Sequence, residues 1–151
     1  MLALLSVSLV ALFTQYAYAQ VRFARSYGGT NFEKPSSVQQ TSDGGYIVAG
    51  WTNSFGASLN DIFLIKTDAN GNIIWAKTYG GTDDDWALYV QQTSDGGYIV
   101  VGGTTSFGAG GSDIFLIKTD ANGNIQWAKT YGGSDSEFPY FPYSVQQTSE
   151  G

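Results

Sequence analysis

The 151-residue chain contains no cysteine and no histidine, and only 3 of its residues are proline. Without cysteine there are no disulfides, so a folded domain has to be stabilised by packing alone. Without histidine the chain lacks the commonest general base and a common metal ligand. Charged residues make up 13% of the chain, and the 13 acidic against 7 basic residues disfavour nucleic acid and anionic membrane as partners.

Outside the first 19 residues, the sequence also lacks a sustained apolar period of 3.6 residues, the signature of an amphipathic helix. The leader itself is an uncharged apolar run, residues 2–13, followed by Ala17, Tyr18 and Ala19. Its length of about 12 apolar residues is below the roughly 20 needed to cross a bilayer. We therefore predict a signal peptide over residues 1–19, cleaved before Gln20, and a secreted or cell-surface protein with no membrane span after cleavage.

The dominant positive feature is an internal repeat. Residues 38–81 and 90–133 are the same 44-residue sequence with seven substitutions, offset by 52 positions. Each copy contains four short β-like runs, which we label A to D, separated by turn sequences rich in Gly, Asp and Asn. A period near 50 residues with four strands is typical of a β-propeller blade.

The repeat predicts an all-β fold of β-propeller-type units, each of four antiparallel strands. The units span about 30–81 and 82–133, with a partial third unit at 134–151 and an isolated D-like segment, 21–29, before the first. The propeller is therefore incomplete, with about two and a half blades in the repeat region 20–151. In strand D, the positions 23, 75 and 127 are always aromatic, so we expect that face to be buried and predict Trp75 and Trp127 to be core anchors.

The order VQQTSDGGYIV, DIFLIKTDANGNI and WAKTYGG, with its paired glycines, resembles the bacterial and archaeal β-propeller family often called SBBP repeats, which is distantly kelch-like. The resemblance covers essentially all of residues 20–151. It implies a four-stranded blade per unit in exported or cell-surface proteins. No catalytic motif accompanies the family, so the resemblance implies neither a catalytic residue nor a cofactor.

Alternation of strand direction places the A–B and C–D turns on one side of the blades and the B–C and D–A loops on the other. The turns TSDGG and DANGN are unchanged between the units, whereas the loops differ, so we expect any ligand site on the loop side. The candidate ligand-binding residues are Trp51, Asp83, Asp84, Asp85, Trp86, Asp135, Glu137, Tyr140, Phe141 and Tyr143.

Several of these residues have competing interpretations. Asp83, Asp84 and Asp85 could hold a hard cation, but a solvated acidic loop is the favoured interpretation, and no metal site is predicted. Asp135 and Glu137 could form the carboxylate pair of a glycosidase, although neighbours on a loop rarely reach the defined separation that this chemistry needs. Trp51 stands where the other unit has Gly103, which indicates a partly exposed position.

The sequence thus favours a non-enzymatic module with a binding or structural role and an unknown protein or glycan ligand. One alternative is a self-assembling surface or filament protein whose open blades pair between chains, because uncovered blade edges are templates for strand pairing. A second alternative is an extracellular hydrolase that acts on glycans. For both the binding or structural module and the self-assembling protein, we expect self-association or membership of a longer chain.

Overall fold

A computed structural model describes residues 23–57, 59–137 and 144–148, and the secondary structure in these ranges is entirely β. Eight strands follow one another along the chain. They are β1 (Glu33–Gln40), β2 (Tyr46–Thr52), β3 (Asp61–Thr67), β4 (Ile73–Tyr79), β5 (Asp85–Gln92), β6 (Tyr98–Thr104), β7 (Asp113–Thr119) and β8 (Ile125–Tyr131). The predicted leader and its cleavage site lie outside the described residues.

The strands form two antiparallel sheets with sequential order, β1-β2-β3-β4 and β5-β6-β7-β8. The predicted all-β fold of four-stranded, propeller-type units is therefore confirmed, and we call the two sheets blade 1 and blade 2. They do not close into a ring. Among the described residues, no helix is both long and apolar enough to span a membrane.

Tight turns fix the register of each blade. In the A–B turns, Gly44 and Gly96 both adopt φ of +81°, a conformation that residues with a Cβ rarely take. In the C–D turns, the carboxylates of Asp68 and Asp120 accept hydrogen bonds from the backbone N–H groups two and four residues later, all within 2.9 Å. The DANGN sequence is thus a hairpin turn, as its Asn-Gly pair predicts.

The two blades stack face to face, and the core lies between them. The trailing face of blade 1, which points to blade 2, carries Ile47, Ile62 and Leu64, while the leading face of blade 2 carries Val90 and Val100. All five side chains are at most 1% exposed. This burial is the arrangement expected of successive propeller blades. The two outer faces are named in the same way. The leading face of blade 1 carries the residues equivalent to those on the leading face of blade 2, and the trailing face of blade 2 carries the residues equivalent to those on the trailing face of blade 1.

Strand D forms the outer part of the seam between successive units. The Trp75 indole packs edge-on against Tyr98 with ring centroids 5.8 Å apart, and Tyr79 donates its hydroxyl hydrogen to the carbonyl oxygen of Gly123 at 2.7 Å. Residues 23–29, although not a strand, repeat these contacts on blade 1. There the Phe23 ring meets Tyr46, and the Tyr27 hydroxyl reaches the Gly71 carbonyl at 2.6 Å.

The core-anchor prediction for strand D is correct for Trp75 and wrong for Trp127. Trp75 is half-buried and packs against the core cluster, whereas Trp127 is 40% exposed. The two tryptophans lie at equivalent positions of β4 and β8. The difference arises because blade 2 covers β4, while no described blade covers β8.

Candidate functional site

The variable loops of both blades lie together on one side of the molecule. We call this side the loop face; it comprises the described parts of the B–C loops, 53–57, 59–60 and 105–112, and of the D–A loops, 30–32, 80–84 and 132–137. The Asn60 side-chain amide donates to Asp84 Oδ1 at 2.6 Å, and the backbone N–H of Asp83 donates to Ser106 Oγ at 3.0 Å. These hydrogen bonds tie each B–C loop to the D–A loop of the same seam, which gives the variable sequences fixed positions.

The loop face exposes large apolar side chains. Phe32 is 75% exposed, Phe55 56%, Leu59 51% and Phe107 45%. Scattered exposed apolar residues are ordinary, but four on one side of a 151-residue chain form a surface suited to a ligand with apolar parts. Phe55 and Phe107 are equivalent residues of the invariant SFGA sequence. Because both lie in a part of the B–C loop that is identical in the two units, a search for differing loop residues did not identify them.

Trp51 and Trp86 occupy corresponding places through different strands. In blade 1, Lys34 of β1 pairs with Trp51 of β2; in blade 2, Trp86 of β5 pairs with Gly103 of β6. A Cβ on Gly103 would clash with the Trp86 ring. At this place each blade therefore has one indole, from β2 in blade 1 and from β5 in blade 2, and both indoles are half-buried. The predicted partial exposure of Trp51 is confirmed.

The three consecutive aspartates do not act as one cluster. Asp83 is exposed, Asp84 is half-buried with its carboxylate on Asn60, and Asp85 is fully buried at the start of β5. The expectation of a solvated acidic loop is therefore wrong for Asp85. Its Oδ2 accepts hydrogen bonds from the Gly81 backbone at 2.8 Å and from Ser106 Oγ at 2.6 Å.

Asp85 instead approaches Asp61, the first residue of β3. A Cβ on Gly80 would contact carboxylate oxygens of both, so only glycine fits between them. Burial, the largest cause, and the charge of Asp85 raise the pKa of Asp61, because each disfavours its ionised form. Asp85 Oδ1 has no hydrogen-bond partner. Burial and the nearby carboxylate both favour the neutral form of Asp61 over its ionised form.

The same pair recurs one unit later. Asp113 and Glu137 approach the position of Gly132, and Asp113 Oδ1 is likewise without a partner. Glu137 thus lies close to Asp113, while Asp135 is exposed. Within the described ranges no group of three or more Asp, Glu, Cys or His residues is placed to hold a metal ion. The other predicted residues of this loop, Tyr140, Phe141 and Tyr143, lie outside the described residues.

Two apolar crevices open between successive units. The first, of about 340 Å³, is lined by Tyr27, Phe55, Phe63 and Ala76 among others. The second, of about 300 Å³, is lined by residues at the positions 52 further on, namely Tyr79, Phe107, Phe115 and Ala128. Phe55 and Phe107 are also exposed on the loop face, so each crevice is continuous with that surface. A concave site with aromatic walls is suited to an apolar or ring-shaped ligand group.

The opposite side, with the A–B and C–D turns, is a polar scaffold repeated in both blades. The ammonium groups of buried Lys66 and Lys118 lie 2.8 Å from Asp43 and Asp95 respectively. These hydrogen bonds with the lysines hold the pKa of each aspartate well below its usual range. This structural pairing accounts for the invariance of these turns, and Ile73, Ile74 and Ile125, which directly follow the C–D turns, are 52 to 56% exposed.

Comparison with known proteins gives one partial similarity. No protein-family model matches the chain. The chain is similar to the regulatory protein FlaEY of Caulobacter vibrioides, with 28% identity over 113 residues. The match covers 64% of this chain and 12% of the Caulobacter protein, so the chain spans only a small part of that relative's length.

Proposed function

We propose that this protein is an exported or cell-surface β-propeller repeat module of the SBBP type, which binds a protein or glycan ligand through its loop face and is not an enzyme. The observation that carries the proposal is the contrast between the two sides of the blades. The turn side repeats its sequence and its Lys–Asp pairs without change, whereas the loop face varies in sequence and exposes aromatic side chains.

Aromatic side chains are the main support for the class of ligand. Phe55 and Phe107 stand at the mouths of two equivalent crevices, and Trp51 and Trp86 add one half-buried indole per blade. Flat aromatic surfaces bury ligand area at a low cost in conformational entropy. Two equivalent crevices on one rigid frame suit a repetitive ligand, such as a polysaccharide, because two weak contacts then act together.

Binding to an array of immobilised glycans tests this proposal. Phe107→Ala removes an exposed ring from the loop face and should weaken binding at least about tenfold, the effect expected of a central contact residue. Asn122→Ala is the matched control, since Asn122 is exposed on the opposite, turn side and should bind unchanged. Equal losses in both variants, or binding that survives Phe107→Ala together with Phe55→Ala, would contradict a loop-face site.

Export is tested separately. The proposal expects secreted material to begin at Gln20, because Ala17 and Ala19 satisfy the small-residue rule for signal cleavage. Mass spectrometry of the exported protein measures this directly. The similarity to a segment of a regulatory protein from Caulobacter supports the idea of a module that also occurs within longer proteins, and it adds nothing on the ligand.

A further inference from the structure

The seam between blade 1 and blade 2 joins two surfaces whose equivalents, at the other faces of the two blades, are not covered by a complete blade among the described residues. The leading face of blade 2 buries Val90 at 0% exposure, yet the equivalent Val38 of blade 1 is 63% exposed. On the trailing side, Trp75 is half-buried, whereas Trp127 and Tyr131 of β8 are 40% and 51% exposed. The chain therefore carries one occupied seam and the two complementary halves of another.

The two free halves match the occupied seam in sequence. Strand β8 retains the Trp, Lys and Tyr that β4 uses: Trp75 Nε1 donates to the Ala121 carbonyl at 3.2 Å, and Lys77 Nζ donates to Asn124 Oδ1 at 2.6 Å. Blade 1 presents the same DANGN turn, residues 68–72, that accepts these bonds in blade 2. Surfaces that already bind each other within one molecule are able to bind between two molecules.

The free faces are partly covered by short segments of the same chain. Residues 144–148 lie on blade 2, where Ser94 N–H donates to Gln147 Oε1 at 2.7 Å. Inside the occupied seam, Ser42 N–H makes the equivalent bond with Gln92 Oε1 at 2.8 Å. The sequence SVQQTS at 144–149 is identical to that at 37–42, which begins in β1. Residues 144–148 thus occupy on blade 2 the place that strand A of the following blade takes in the occupied seam, without the rest of that blade.

At the other end, Phe23 takes the place that a tryptophan takes in the occupied seam. A phenyl ring contacts Tyr46 but cannot donate the hydrogen bond that Trp75 gives to Ala121. Residues 23–29 also form no strand and leave Val38 exposed. Residues 23–29 and residues 144–148 therefore each make a smaller contact than a complete blade would make.

We propose that two copies of this chain associate head to tail, with the trailing face of blade 2 in one copy bound to the leading face of blade 1 in the next. Strand β1 of the second copy replaces residues 144–148, and β8 of the first copy replaces residues 23–27 on the turn 68–72. Trp127, Lys129 and Tyr131 then contact Tyr46, Asn72 and Gly71 of the partner copy. Because the two faces differ, the contact is heterologous and extends to further copies.

The test measures the mass of the chain in solution by sedimentation over a range of concentrations, for the wild type and for one variant on each face. Val38→Glu places a charge on the leading face, and Trp127→Ala removes the ring from the trailing face. Both side chains are exposed in the single chain, so neither substitution disturbs its core. Each variant should weaken association at least about 30-fold, as expected for loss of a central contact.

A mixture of the two variants gives the decisive result. Each variant retains one intact face, so the mixture should form a one-to-one dimer and nothing larger, while each variant alone stays monomeric. Leu59→Ala, an exposed apolar residue of the loop face, is the matched control and should associate like the wild type. A wild type that stays monomeric at millimolar concentration, single variants that still associate, or a mixture without dimers would each overturn the proposal.

Discussion

Two buried lysines at equivalent positions of β3 and β7 show how single residues join the strands to the turns. Lys66 is 4% exposed, and its ammonium donates to both carboxylate oxygens of Asp43 and to the Thr67 carbonyl within 3.1 Å. A buried ammonium is tolerated only when such partners replace water. Asp43 itself is open to solvent, so the pair stabilises the fold by satisfying the lysine more than by Coulomb attraction.

Asp43→Asn should therefore reduce the free energy of unfolding at pH 7 by about 1–2 kcal/mol, the lower part of the range for a hydrogen bond to a charged group. The lowered pKa of Asp43 means that its contribution is present above the unfolded pKa, about 4, and is lost as the pH falls through the folded pKa. Urea unfolding at pH 7 and pH 3 measures both effects. The gap between wild type and variant should shrink at pH 3, and a constant gap would contradict the pairing.

Asp61 has the opposite dependence on pH. Its pKa is raised, so its contribution to stability is complete below about pH 4 and is lost as the pH rises through the folded pKa. Asp61→Asn removes the charge, keeps an acceptor for the Ala57 N–H and places a donor beside the Asp85 carboxylate. We expect it to stabilise the protein at pH 7 by up to about 1 kcal/mol, the net value of one hydrogen bond.

Thermal unfolding of Asp61→Asn between pH 4 and pH 7 checks this expectation. The wild type should lose stability across that range relative to the variant. Asp61→Ala is the control, because alanine also removes the acceptor for Ala57 and should destabilise the protein at both pH values. If Asp61→Asn were less stable than the wild type at pH 7, repulsion between the carboxylates of Asp61 and Asp85 would not destabilise the protein.

At the scale of the element, β4 and β8 show that one sequence has two levels of burial. Both strands read WAKTY from the tryptophan onward, and both form the outer edge of a four-stranded sheet. Among the described residues, only β4 is followed by a complete blade, whose Tyr98 and Gly123 contact the aromatic side chains of β4. The burial of a strand D residue is thus decided by the next unit and not by its own strand.

The matched pair Trp75→Ala and Trp127→Ala separates these contributions. Trp75→Ala should reduce the free energy of unfolding by about 3 kcal/mol, near the lower limit for a core tryptophan because Trp75 is half-buried. Trp127→Ala should change it by less than about 0.5 kcal/mol when the chain is dilute enough to be monomeric. Chemical unfolding of both variants measures the difference. Equal losses would mean that β8 is covered in the monomer.

Sequence reasoning predicted the elements well because repeats and turn residues are local signals. The four β-like runs of each repeat form the four strands of one blade, β1 to β4 in the first and β5 to β8 in the second. The sequence alone could not show that Asp85 lies close to Asp61, because their proximity depends on the stacking of two sheets. The exchange of Trp51 for Trp86 depends on cross-strand register, which the comparison of equivalent positions alone does not show.

At the scale of the whole molecule, β5 couples the two blades. Its backbone N–H at Val90 donates to Ser37 Oγ at 3.3 Å, the Tyr89 hydroxyl accepts from Gln39 Nε2 at 2.6 Å, and Ser36 Oγ donates to the Ala87 carbonyl at 2.7 Å. Strand β5 is thus paired with β6 in the sheet of blade 2 and also makes hydrogen bonds to blade 1. Repeat proteins obtain much of their stability from such neighbour contacts.

Val90→Ala and Val38→Ala test this coupling at equivalent positions of β5 and β1. Val90 is fully buried in the seam, so its truncation should reduce the free energy of unfolding by about 2 kcal/mol, whereas Val38→Ala should have an effect within about 0.5 kcal/mol in the monomer. Weakening the seam also lowers the cooperativity between the blades, because each then unfolds with less help from the other. When Trp51, Trp86 and Trp127 are replaced by phenylalanine, tryptophan fluorescence reports on Trp75 in the seam. In that background, the fluorescence of Val90→Ala should change at a lower urea concentration than the far-ultraviolet circular dichroism of the two sheets. Coincident transitions in that variant would show that the two blades still unfold as one unit, and equal losses at positions 38 and 90 would show that the seam does not stabilise them.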